Sequence, residues 1–176
     1  VAPQNPDCQF ISVDISHESI SEAQKMAEER GIRNVNFQQA NIFELPFPKA
    51  HFDHVFVCFV LEHLPDPQKA LRKQLDVLKP GGTLTLIEGD HGSTYFHPDS
   101  REARMAVQCQ VTLQAQKGGD ADIGRKLFPI MERAGMMDIV VSPRQVYVDD
   151  SLPHMVEGFT RNTFTAMIKG VAEEAI

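Results

Sequence analysis

The apolar positions of this chain alternate between two periods. Residues 10–13 form a short apolar run ending at Asp14 and predict a strand. Ser19 and Glu22 have the S-x-x-E spacing of a capping box. Ile20, Ala23 and Ala27 recur at helical spacing with Met26 beside them, which predicts a helix over 19–30 terminated by Gly31. Residues 35–38 read as a second strand and 41–49, with two prolines, as a loop. Residues 53–59 are nearly all apolar, as expected of a parallel strand covered on both faces. Asp66 and Pro67 open a helix carrying Ala70, Leu71, Leu75 and Leu78; residues 79–82 stop it and 83–87 form a fourth strand.

Beyond an irregular stretch, 88–100, the pattern predicts a helix over 101–116 and a break at 118–120. A helix over 123–134, closed by Gly135, follows. A strand over 139–148, interrupted by Pro143, and a largely helical segment over 151–175 complete the chain. Strands alternating with helices through short links imply an α/β fold with parallel strands and right-handed crossovers. One domain is expected over 1–176, with its core in 10–148 and a C-terminal helical segment in 151–175.

Composition narrows the partners. Seventeen basic residues against 24 acidic ones give a net charge of −7, a poor match to nucleic acid or an anionic membrane surface. The expected partner is a small molecule. Cys8, Cys58 and Cys109 are odd in number and lack C-x-x-C spacing, which argues against a disulfide framework or a cysteine zinc site and for reduced thiols in the cytoplasm. The longest apolar run, 55–61, is far too short for a membrane span, and residues 1–7 lack the features of a signal peptide.

Ligands of open α/β sheets bind at the carboxyl ends of the strands. Asp14, Asn41, Cys58 with Phe59, and residues 88–91 occupy those positions. Asp14 either accepts both hydroxyls of a ribose or caps the helix that follows. Ile15 either covers a flat base or joins the core. Asn41 either reads an adenine edge or makes an Asx-turn.

Two stretches then point to a family. Residues 52–64, F-D-H-V-F-V-C-F-V-L-E-H-L, resemble the F-D-x-V-x-x-x-x-x-L-x-H-L stretch of class I S-adenosylmethionine-dependent methyltransferases. Residues 78–84, L-K-P-G-G-T-L, resemble the L-K-P-G-G-x-L that precedes their fifth strand. The resemblance is nearest to small-molecule enzymes of the quinone-biosynthesis type and runs over about 10–148. It implies a Rossmann-like three-layer sandwich with a mostly parallel sheet, here incomplete at both ends. It also implies S-adenosylmethionine as cofactor and methyl transfer to a small molecule by in-line displacement.

Carried over, Asp14 holds the ribose and Ile15 packs on the adenine. Asn41 stands where the family usually has Asp, with Ile42 after it. Cys58 and Phe59 lie near the methionine part and the transferable methyl, and His63 either faces the cofactor or enters the next helix. None of the thirteen residues before Asp14 is glycine, and G-x-G-x-x-G occurs nowhere, so the chain is expected to be a core piece of a longer methyltransferase. The rivals are a non-catalytic Rossmann-like module and a nicotinamide-dependent oxidoreductase.

An activated sulfonium needs mainly alignment and exclusion of water, so the chemistry demands no particular catalytic residue. His91 and Tyr95 are the candidates, in the segment after the fourth strand; His91 is otherwise a surface loop residue, and Tyr95 with Phe96 otherwise lid packing. Asp90, His91 and His97 are ligand types with no zinc spacing, so no metal is expected. Glu62 is expected to face solvent or to serve as a first-turn helix charge, and Arg125 to pair with a carboxylate of the protein. Met131, Met136 and Met137 are expected in the core, and Met155, Val156, Phe159, Phe164 and Ile168 to pack on the sheet.

Overall fold

The structure is a computed structural model, and residues 1–170 are described. Contacts divide the chain into two compact units: residues 1–53 with 72–83, and residues 54–71 with those from 84 onward.

In the first unit, β1 (Phe10–Asp14) pairs in parallel with β2 (Val35–Gln39), in register from Phe10 opposite Val35 to Asp14 opposite Gln39. Helix α1 (His17–Glu29) makes the crossover and buries Ile20 and Ala27, one face of an amphipathic helix. Its cap is not Ser19. The Ser16 hydroxyl accepts from Ser19 N–H at 3.2 Å, and the helix starts two residues before the predicted position. Its end follows the sequence: Gly31 takes φ +65°, its N–H donates to Glu28, and Ile32 N–H reaches back to Ala27, the two bonds of a Schellman motif.

β3 (Phe52–Cys58) pairs with β4 (Leu78–Ile87). His51 N–H donates to Val77 and Phe59 N–H to Ile87, so the bonds advance in the same direction along both strands. Helix α2 (Pro67–Val77) links them; Asp66 caps it, its carboxylate accepting from Lys69 N–H at 2.8 Å. β4 starts at Leu78, five residues before the expected strand, so the Lys-Pro-Gly-Gly run belongs to the strand. A Cβ at Gly82 would lie 3.0 Å from Asp53 O, a backbone approach that only glycine permits. β3 is not covered on both faces as expected: Val57 is buried, while Phe56 is 45 % exposed.

The second unit centres on Leu61, Leu71 and Ile123, all fully buried. Helix α3 (Arg101–Gln116) has the predicted bounds, and the Ser100 hydroxyl accepts from Ala103 N–H at 3.1 Å to cap it. The predicted 123–134 helix is a 3-10 turn, Ile123–Lys126, leading into α4 (Leu127–Ala134).

The strand expected over 139–148 is absent. Its residues have no regular secondary structure and are mostly exposed; Val140 and Val141 line a cavity of about 180 Å³ with Leu86 and Met131 but form no ladder. The β-branched residues of this stretch suit a strand, yet Pro143 has no N–H to donate. Met131 is buried as expected, whereas Met137 is 84 % exposed, just outside α4. The C-terminal segment is helical from Pro153, with a π-helical run at Val156–Thr165 and α-helix again at Ala166–Gly170; residues 171–175 of the prediction lie outside the described residues. Among the described residues no helix is long and apolar enough to cross a membrane.

The cap assignment is testable. Ser16→Ala is expected to lower unfolding stability by about 1 kcal/mol, and Ser19→Ala by only a few tenths, read from urea titrations. A larger loss at Ser19 would restore the capping box predicted from sequence.

Candidate functional site

In the first unit, the parallel pairing brings Asp14, Ile15 and Asn41 to the carboxyl ends of two adjacent strands. Asp14 O accepts from Ala40 N–H at 2.9 Å, which ties the end of β1 to the residue before Asn41. The Asp14 carboxylate is exposed; Oδ1 accepts from Ser16 N–H at 2.8 Å, and Oδ2 carries no hydrogen bond among the described residues. Ile15 is 68 % exposed, its carbonyl held by Gln39 Nε2 at 2.8 Å. Asn41 is exposed and forms the Asx-turn considered above, Oδ1 accepting from Phe43 N–H at 3.0 Å; a second lone pair of that oxygen remains. Ile42 is half-buried. A carboxylate with an unbonded oxygen beside an exposed aliphatic side chain fits the ribose and base of a nucleoside.

The second unit holds a polar cluster that follows β3 and β4. Cys58 is half-buried, and burial, helped by the charge of Glu88, pushes its thiol up. Phe59 has φ +52°, a left-handed conformation that costs a non-glycine residue about 1–2 kcal/mol, and its ring is 54 % exposed. The chain then turns sharply through Leu61–His63. Glu88 holds that turn: Oε1 accepts from Val60 N–H at 3.2 Å and Leu61 N–H at 2.9 Å, and Oε2 from Glu62 N–H at 3.2 Å. Burial pushes the Glu88 carboxyl above its ordinary range, and the three N–H groups offset this only in part.

Of the two expected placements Glu62 takes the second, in the first turn of the 3-10 helix Leu61–His63, and it does not face solvent: the residue is only 5 % exposed. Its Oε2 lies 3.1 Å from His91 Nε2 and its Oε1 3.4 Å from His63 Nε2. Its carbonyl accepts from Asp120 N–H at 2.7 Å and from Gln114 Nε2 at 2.9 Å. Apart from the adjacent His63, these partners lie 29 to 58 positions along the chain, so no local spacing signals the burial. The one available sign is an acidic residue set between Leu61 and His63 in a turn flanked by apolar positions. His91 is likewise largely buried rather than a free loop residue, while His63 is exposed.

Arg125 pairs with a protein carboxylate as expected, donating through Nε to Asp90 at 2.8 Å. Burial raises the Asp90 carboxyl, but hydrogen bonds from Arg125 and Ser93 outweigh it and hold it below its ordinary value. Tyr95 is 83 % exposed and makes no hydrogen bond to this cluster, and Phe96 contacts Phe164. No group of three or more histidine, cysteine or acidic residues among the described residues is arranged to hold a metal.

Parallel strands joined by helical crossovers define an α/β protein of the Rossmann-like kind. The methyltransferase-domain family matches residues 1–135, and the chain belongs to that family, in the class I S-adenosylmethionine-dependent fold. Among curated relatives, the ubiquinone/menaquinone biosynthesis C-methyltransferase UbiE of Serratia proteamaculans is 41 % identical over 81 residues, 46 % of this chain and 32 % of that protein. UbiE of Shewanella sediminis is 40 % identical over the same shares. The chain thus spans about a third of the length of these relatives. The YcgJ protein of Bacillus subtilis has a similar structure, with TM-score 0.61 and 20 % identity over 95 % of this chain and 70 % of that one. A methyltransferase from Aquifex aeolicus gives TM-score 0.53 and 20 % identity over 72 % and 58 %. These structural likenesses establish the fold.

Glu88 can be tested by stability. Glu88→Ala strands three N–H groups and is expected to cost about 2–4 kcal/mol, while Glu88→Gln keeps an acceptor oxygen and costs less. The folded carboxyl titrates above its unfolded value of about 4.3, so the folded state binds the proton more tightly. Wild type should therefore lose stability relative to Glu88→Gln as pH rises from about 4.3 through the raised folded value. Urea titrations across that range check the sign.

Proposed function

We propose that this chain binds S-adenosylmethionine and transfers its methyl group to a small-molecule acceptor by in-line displacement. The observation that carries this is the exposed Asp14 carboxylate, with Ile15 and Asn41 beside it at the ends of two parallel strands, in a chain of the methyltransferase family. In this reading Asp14 accepts from the ribose hydroxyls. Ile15 and Ile42 pack against the adenine, and the Asn41 amide meets its edge. On motif correspondence alone, Cys58, Phe59 and His63 are assigned to the rest of the cofactor. When bound, the cofactor supplies an activated methyl on sulfonium; the protein's part is to align the acceptor and keep water out.

The acceptor class extends to this chain from relatives named as ubiquinone/menaquinone biosynthesis C-methyltransferases. A net charge of −7 supports a small molecule over nucleic acid, and the composition supports the cytoplasm. We treat residues 1–176 as one methyltransferase-like domain.

Calorimetric titration of S-adenosylhomocysteine into the 176-residue chain tests this reading. Binding is expected, weakened roughly ten- to a hundredfold in Asp14→Ala by loss of charge-assisted hydrogen bonds. Absence of binding by the wild-type chain would overturn the proposal. Equal affinity in the variant would remove Asp14 from the site.

A further inference from the structure

The C-terminal segment of the second unit has an uncommon backbone. Val156–Thr165 is π-helical over ten residues, its N–H groups donating to carbonyls five positions back. π geometry mostly lasts a single turn inside an α-helix and recurs at functional sites. Here ordinary helix flanks it on both sides: Val156 N–H donates to Leu152 O at 3.1 Å, and α-helix resumes at Ala166–Gly170. So long a run needs contacts that favour it over the α form.

Two contacts do so. The Thr163 hydroxyl donates to Gly158 O at 2.9 Å, a side-chain bond that spans five residues and repeats the π spacing. The Phe164 ring packs on the Phe96 ring of the segment after β4, with centroids 6.3 Å apart and planes inclined by 55°. Exposure follows the same period. The partly covered positions of the run are Val156, Thr160 and then Phe164 with Thr165, four to five apart. An α-helix turns about 100° per residue, so in that form Phe164 would stand about 80° round the axis from Val156 and off Phe96. Gly158 leaves this change unobstructed, since a Cβ there would meet nothing within 4 Å. Phe96 itself lies between the 3-10 turn at His91–Ser93 and α3, where no regular structure holds it.

We infer that residues 156–165 form a two-state helix switched by the loop after β4: docked on Phe96 the segment is π-helical, and released from it the segment is α-helical. Conversion moves each N–H from the fifth carbonyl back to the fourth, so the backbone ladder is kept. The balance is set by the Phe96–Phe164 contact and the Thr163 bond. By linkage, whatever engages the Phe96 ring favours the α form, and the α form frees Phe96. A loop at a strand end and a helix 68 positions further along thus act as one device. It works through this segment's own bonds and is independent of the methyltransferase reading.

Couplings across hydrogen bonds in the ¹⁵N,¹³C-labelled chain report the partner of each N–H directly. In wild type the amides of 161–165 are expected to couple to carbonyls five residues back; couplings to the fourth residue back would overturn the inference. Phe96→Ala alters nothing inside the helix, yet is expected to move the couplings to four back. If they stay at five back, the switch does not exist. If that variant loses both sets, Thr163→Val decides in its place, keeping the side-chain shape without the hydroxyl. Couplings at four back, with amide exchange at Phe96 raised about tenfold or more, support the switch, and any other pattern overturns it.

Discussion

The carboxylate of Glu88 accepts three consecutive peptide N–H groups at the start of the turn after β3. Short turns leave their first N–H groups without partners inside the turn, and burial makes each one costly. A side chain from the end of β4 meets that need, so the ends of two neighbouring strands are locked together. The turn then delivers Glu62 inward and leaves His63 outside. The polar cluster around that turn follows: Glu62 pairs with His91, its carbonyl anchors Gln114 and Asp120, and Asp90 holds Arg125 from the next position but one after Glu88.

The first unit solves a simpler problem with the same logic. Parallel pairing from Phe10 to Asp14 sets two strand ends level, and the bond between Asp14 O and Ala40 N–H carries the register one step past the ladder. Ser16 rather than Asp14 caps the helix. That division of labour spares Asp14: one oxygen shapes the turn, and the other carries no hydrogen bond among the described residues.

Legibility in the sequence tracked the range of the interaction. Helix α3 was readable to its ends because Ser100, the apolar spacing and the glycine pair are local signals. The start of α1 was misjudged because two serines three residues apart both suit a cap, and only the backbone path chooses between them. The placement of Asp14 and Asn41 at strand ends was legible from the apolar runs before them. Glu62 was not, since its burial depends on the 88–91 and 114–120 segments, which no spacing rule connects to it. The 139–148 stretch was read as a strand from its β-branched residues, whereas a strand also requires a neighbour with matching donors and acceptors.

The glycines of the second unit have a consequence for how this protein can change. A methyl group added at Gly119 would stand 2.5 Å from Glu62 O, and one at Gly124 would stand 2.7 Å from Gly89 O. In both cases the obstacle is main chain, which cannot swing aside as a side chain can. Substitutions there require the main chain to shift, whereas exposed positions such as Tyr95 can change without that cost. The rigid glycine positions and the freely variable surface positions thus divide this unit into what selection must keep and what it can explore.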